Sequence, residues 1–217
     1  MDQLSQLLLA MPVLLLSLSA HEFAHAWVAL KQGDDTAYML GRVTMNPAAH
    51  VDPIGTLLFP AIAILTGAPL LGWARPVPTN PRKYRRYKRG DILVSIAGVC
   101  ANAILAVLFA IAFWIAVRMV PQGLAALETN AVLRLCIIGV FANIGLILFN
   151  LLPIPPLDGS HVFYHLLPPR AGAQYRQIYP YGFMILWLLV LTNALNFLSP
   201  AIGSIGRFLL LPPFLPW

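Results

Sequence analysis

The sequence predicts an all-α polytopic membrane protein, a transmembrane helix bundle with a short β-strand pair and a re-entrant segment near the cytoplasmic face. Three observations predict it. Hydrophobic residues make up 59% of the 217 and charged residues only 10%, with a mean hydropathy of +0.76, so the chain lacks the polar surface to cover a water-soluble globule. The apolar residues are gathered into runs long enough to cross a bilayer, at 4–31, 91–120 and 132–152, with further runs at 54–71 and 181–198. The formal net charge of +6 is concentrated in one stretch, where Arg82, Lys83, Arg85, Arg86, Lys88 and Arg89 stand beside apolar segments. That placement marks a solvated cytoplasmic loop at the lipid headgroups, and the expected partner is the lipid bilayer, with no nucleic acid.

Each element follows from local chemistry. Residues 4–31 can form one helix of roughly 40 Å, longer than a bilayer core of about 30 Å. No basic n-region or small-residue cleavage pattern accompanies this run, so it is expected to stay as a membrane helix. Gly33-Asp34-Asp35 ends it, and residues 36–45, rich in β-branched and aromatic side chains around Gly41, predict the strand pair. Asn46-Pro47 and Asp52-Pro53 mark turns. The run 54–71 is barely long enough to span and is broken by Pro60, Gly67 and Pro69. After Gly72-Trp73-Ala74-Arg75-Pro76-Val77-Pro78 and the basic loop come two spanning helices, 91–120 carrying Asn102 and 132–152 carrying Asn143 and Asn150, joined by a short polar connection. The prolines of Pro153-Ile154-Pro155-Pro156 forbid a regular helix until Asp158. Residues 181–198 are expected to span again, with an interfacial tail beyond residue 200. The whole, 1–217, reads as a single membrane-embedded domain with its core at 4–165 and a C-terminal helix and tail at 178–217. Cys100 and Cys136 have no metal-knuckle spacing and read as buried thiols.

Within the first run stands His21-Glu22-Phe23-Ala24-His25, the pattern H-E-x-x-H. On a helix, residues four apart differ by about 40° in azimuth and about 6 Å in height, so both imidazoles can face one metal ion while Glu22 reaches a water on it. Two His and a Glu among aliphatic side chains are costly without a compensating charge, and a zinc ion supplies one. Two His leave such a site incomplete, because catalytic zinc takes three protein ligands and water. Of the eight acidic residues, Asp158 is the best third ligand, since it sits in a proline-rich break directly after a spanning helix.

These features resemble the site-2 protease family of intramembrane zinc metalloproteases. His21 to His25 resembles the family's H-E-x-x-H, Asn150 through Gly159 its N-x-x-P-x-P-x-L-D-G segment, and Ala97-Gly98 with Asn102 its A-G-P-x-x-N segment, with Val99 in place of the usual Pro. The similarity extends over roughly residues 5–165, and residues 46–55 and 72–80 look like the compact branch without PDZ or CBS domains. The resemblance implies one zinc per chain held by His21, His25 and Asp158. It implies Glu22 as general base, with Asn102 and Asn150 as polar groups near the substrate carbonyl. The activity implied is hydrolysis of peptide bonds within or near transmembrane helices of membrane protein substrates. A strand at residues 42–45 would offer an edge for pairing with the unwound substrate.

Bringing Asp158 to His25 also constrains topology. Both lie near helix ends, so an even number of crossings must separate them, yet three apolar runs intervene. Pro60, Gly67 and Pro69 nominate 54–71 as the run that dips in and returns. The basic loop then shares a face with the motif, so the site opens to the cytoplasm, and the compact architecture suggests a bacterial inner membrane.

Other groups have blander readings. His161 and His165 share i, i+4 spacing but lack an adjacent Glu and read as interface histidines. His50 and Asp52 read as turn-fixing groups and Asn143 as a packing residue. A membrane zinc transporter would also place His and Asp in helices, but it has no need of Glu beside a ligand. A catalytically silent scaffold has no need of a complete ligand set with a base.

Overall fold

A computed structural model of the protein describes residues 3–66, 73–121 and 123–211. Gly67, Pro69 and residues 212–217 of the predicted tail lie outside the described residues. The first helix, α1 (Gln3–Gln32), stops where the sequence places its terminator. Gly33 adopts φ 108°, its N–H donates to Leu30 O at 3.1 Å, and the Asp34 N–H donates to Ala29 O at 2.9 Å. Two otherwise orphaned carbonyls are satisfied by this left-handed cap, which only glycine adopts without strain.

Beyond the cap the structure departs from expectation. No strand occurs among the described residues, and in place of the predicted strand pair Thr36–Met39 forms the short helix α2. The Asp34 carboxylate accepts from the Thr36 N–H at 3.0 Å and from its hydroxyl at 2.5 Å, and the Met39 N–H donates to Asp35 O at 2.9 Å. Local side-chain capping wins here because β-propensity expresses packing against a neighbouring strand, and none is offered. The Arg42 N–H folds back to Ala37 O at 2.8 Å, and residues 42–45 form no strand.

The predicted turns at Asn46-Pro47 and Asp52-Pro53 form by one device. In each, the Asx side chain accepts backbone N–H groups two or three residues on, and the proline fills the first helical position, where a missing N–H costs nothing. A π-helical turn, Pro53–Leu58, then leads into α3 (Phe59–Thr66). At about 1.5 Å per residue the pair rises only about 21 Å, short of the bilayer core. Farther along, the Trp73 N–H donates to Gly55 O at 3.0 Å and Trp73 O accepts from the Thr56 hydroxyl at 2.7 Å. The chain is therefore back beside the start of the segment.

The long helix α4 (Tyr87–Met119) begins four residues before the predicted start, so Lys88 and Arg89 are in its first turn. Its buried face includes Gly98, Asn102, Ala106, Ala110 and Phe113, a stripe at spacings of three and four. The small residues let α5 (Ala131–Asn150) and α1 pack along it, as suits helices whose apolar surface gains nothing by leaving lipid. Cys136 is buried as expected, but Cys100 is exposed, since its azimuth on α4 turns it away from both neighbours.

α5 ends at Asn150, and after the proline-rich stretch α6 (Asp158–Leu166) starts at the residue the prolines permit. Gly159 is required here, because a Cβ would lie 2.3 Å from Leu151 O and 2.6 Å from Leu152 O. This close approach seats the first turn of α6 on the end of α5. After α7 (Pro169–Arg176), the run predicted as one span at 181–198 is broken. Helix α8 (Gly182–Leu191) stops at Asn193, which adopts φ 54°, and α9 (Ser199–Leu210) follows a 79° bend. The tail expected at the interface begins as α9, whose Ile202, Leu209 and Leu210 pack on Ala106, Ala110, Val140 and Ile144. Among the described residues three helices are long and apolar enough to cross a membrane, Leu4–Gln32, Tyr87–Met119 and Ala131–Asn150, and the bent pair makes a fourth if it forms one span.

Candidate active site

His21, His25 and Asp158, predicted together across more than a hundred residues, meet: one ligand atom from each lies within 4.8 Å of the others. The His21 and His25 Nε2 atoms are 2.9 Å apart, and they lie 3.2 and 3.4 Å from the two Asp158 carboxylate oxygens. Three elements produce this arrangement. The i, i+4 spacing on α1 stacks the rings, α4 backs them, and the seat of α6 on Leu151 and Leu152 aims Asp158 at both.

The tautomers follow from the partners of the other ring nitrogens. His25 Nδ1 lies 2.7 Å from Val94 O, which can only accept, so this nitrogen carries the proton. His21 Nδ1 lies 2.6 Å from Asn102 Oδ1. The orientation of that amide is set by its other end, where Nδ2 donates to Ser17 O at 3.3 Å and to Asn143 Oδ1 at 2.8 Å. A backbone carbonyl cannot donate, so Asn102 presents oxygen to His21, and His21 too is protonated at Nδ1. Both Nε2 atoms therefore turn lone pairs toward the carboxylate.

With the imidazoles neutral, two lone pairs and a carboxylate converge with no donor among them, and Asp158 Oδ2 is buried without a hydrogen bond. Such a cluster repels itself unless a cation lies within it, and the donor set, two imidazoles and a carboxylate, suits zinc. Space is kept on the α4 side: a Cβ on Gly98 would lie 2.5 Å from His21 Cε1 and 2.6 Å from both Nε2 atoms.

Glu22 points to another part of the chain, its Oε2 accepting the Val77 N–H at 2.7 Å. Asn102 is fully buried within the network that orients His21, and Asn143, read from sequence as packing, belongs to the same network through Asn102 and the Ser17 hydroxyl at 2.9 Å. Asn150 stands at the end of α5, one amide N–H donating back to Leu146 O at 2.9 Å. His50 fixes a turn as expected, its Nε2 donating to Thr44 O at 2.8 Å. His161 and His165 are held by Asp91 rather than by the trio, at 3.4 and 2.7 Å. Sequence reading missed Ser17, the Val94 carbonyl and the Val77 N–H. Two of these three are backbone groups, which no residue type announces, though Pro76 and Pro78 do single out Val77 as the donor between them.

Residues 116–191 match the family model described as Peptidase family M50. "Putative zinc metalloprotease YwhC" of Bacillus subtilis is 41% identical over 197 residues, covering 89% of this chain and 85% of the relative. "Putative zinc metalloprotease Rip2" of Mycolicibacterium smegmatis is 33% identical over 84% of this chain and 66% of its own length, and its namesake in Mycobacterium tuberculosis strain H37Rv is 34% identical over 88% and 66%. No solved structure matches.

Proposed function

The chain belongs to peptidase family M50, the site-2 protease family, and from that premise we propose how its residues divide the work of peptide hydrolysis. It is an intramembrane zinc metalloprotease, an integral membrane enzyme that acts on protein substrates. His21, His25 and Asp158 hold the zinc. The observation that carries this assignment is the convergence on one carboxylate of two imidazole Nε2 atoms whose Nδ1 atoms already have partners. When bound, the ion supplies Lewis acidity, lowering the pKa of water and polarising the scissile carbonyl.

Glu22 is the general base: with Oε2 on the Val77 N–H, its other oxygen takes the proton of the attacking water and passes it to the leaving amine. Asn102 orients His21 instead of touching substrate, because both its amide protons are committed to Ser17 and Asn143. Asn150 keeps a second N–H beyond its bond to Leu146 and is the group assigned to the substrate carbonyl. Substrates are transmembrane helices that unwind locally, exposing a peptide bond otherwise hidden by its own hydrogen bonds.

The segment from Pro53 to Thr66 dips into the membrane and returns to its own side, a reading supported by its length and by the bond from Trp73 to Gly55. The site then opens on the face of the basic loop, the cytoplasmic face of a bacterial cell membrane. Glu22→Gln should retain one zinc per chain while cleavage of a transmembrane peptide falls by about a hundredfold or more. Proteolysis at the wild-type rate would remove Glu22 from its role, and full zinc content after Asp158→Ala would remove Asp158 from the ligand set.

A further inference from the structure

We infer that the backbone N–H of Val77 is the positioning group for Glu22, and that residues 73–85 form a rigid strap whose task at the site is to present that single donor. The inference rests on the reading of Glu22 as general base. The Val77 N–H meets Glu22 Oε2 at 2.7 Å, a charge-assisted bond across 55 residues. Pro76 and Pro78 have no N–H, so Val77 carries the one backbone donor among residues 76–78. Its side chain is buried with Ala26 and Ala37 and packs on Val43, which prevents the donor from turning away.

The strap is tied on both sides of this point. Upstream, the Trp73 N–H donates to Gly55 O at 3.0 Å and the Arg75 N–H to His50 O at 2.8 Å, so the N–H groups at 73, 75 and 77 are all spent within the protein. The Arg42 guanidinium binds Arg75 O at 2.9 Å from the other side. Downstream, the Asn80 N–H donates to the buried Asp34 carboxylate at 2.5 Å, Lys83 pairs with Asp35, and the Arg85 N–H donates to Gln32 O at 2.8 Å. Asp34 and Gln32 lie at the end of α1, the helix that carries Glu22. The donor is therefore fixed relative to α1 itself, and a carboxylate on a flexible two-methylene stem is held in one rotamer with one oxygen left for water. A base so held need not be ordered at the moment of proton transfer.

The test is replacement of Val77 by its α-hydroxy acid analogue, which exchanges the N–H for an ester oxygen and keeps the side chain. The substrate is a quenched-fluorescent transmembrane peptide first shown to be cut by the wild-type protein. The expected result is a fall in kcat of about tenfold or more, with KM within about twofold and zinc content unchanged. Val77→Ala, which retains the donor and trims the apolar contact that steadies it, should lose clearly less of kcat than the donor-deleted protein. Val77→Pro removes the same donor genetically and serves if the ester protein cannot be obtained folded. An unchanged kcat in the donor-deleted protein, or an equal loss in Val77→Ala, overturns the proposal. A Glu22→Gln enzyme with wild-type turnover would instead overturn the general-base reading beneath it, so the two failures are distinct.

Discussion

Gly98→Ala adds one carbon at the closest approach of α4 to the ligand pair. The new Cβ would lie 2.5 Å from His21 Cε1 and 2.6 Å from both Nε2 atoms, where unbonded carbons rest at about 3.5 Å or more. Roughly 1 Å must be found, either by moving α4 away or by turning the rings. Turning them breaks the 2.6 Å bond to Asn102 and the 2.7 Å bond to Val94 O, which set the tautomers. Overpacking of this size costs about 1–3 kcal/mol, and the better helix propensity of Ala returns about 1 kcal/mol, so overall stability should fall only slightly. Zinc affinity should fall by about 10- to 100-fold, since ligand orientation is what is lost. Chelator competition with zinc readout, alongside peptide cleavage, measures it. Gly145→Ala is the control, because its Cβ would meet nothing closer than Ile202 Cδ1 at 3.9 Å, and it should bind zinc like wild type. Wild-type zinc affinity and cleavage in Gly98→Ala would refute the placement of the site against α4.

Other predictions test the surroundings. Asn102→Ala strands the His21 Nδ1 proton, Asn143 Oδ1 and Ser17 O, and should destabilise by about 2–4 kcal/mol in denaturant titration while lowering zinc affinity by about tenfold; an effect on turnover alone would return Asn102 to a contact with substrate. Asp91→Ala leaves His165 buried without its 2.7 Å partner and should cost about 3 kcal/mol, whereas His161→Ala, at a residue whose side chain is 39% exposed and 3.4 Å away, should cost less than about 1 kcal/mol; equal costs would show that the two histidines are not held differently. Single cysteines at Asn46 and Pro78, in a background lacking Cys100 and Cys136, should react with an impermeant maleimide from one face only, and labelling from opposite faces would mean that the segment starting at Pro53 crosses.

What could be read in advance was what depends on near neighbours. Two histidines four apart share a helix face whatever surrounds them, a glycine after a helical run invites a left-handed cap, and Asn or Asp before Pro starts a turn. Asp158 was legible for a related reason, since Pro153, Pro155 and Pro156 leave it the first position where a helix can begin. The strand pair failed because a β-branched segment needs a partner, while Asp34 offered Thr36 a cap within two residues. The bend in the last apolar run was not legible, because hydropathy is blind to the left-handed Asn193 that follows α8.

By itself, then, the sequence determined the medium, and it named candidate ligands and a candidate run that fails to cross, because composition, helical phase and the parity of a closed path need no coordinates. Tertiary structure decided which side chains meet, which asparagine orients His21, and what holds Glu22. Those depend on distances between residues up to 137 positions apart, as with His21 and Asp158, and on backbone groups such as Val94 O and the Val77 N–H. Every residue but proline carries such a donor, so only the folded chain selects the one that touches Glu22.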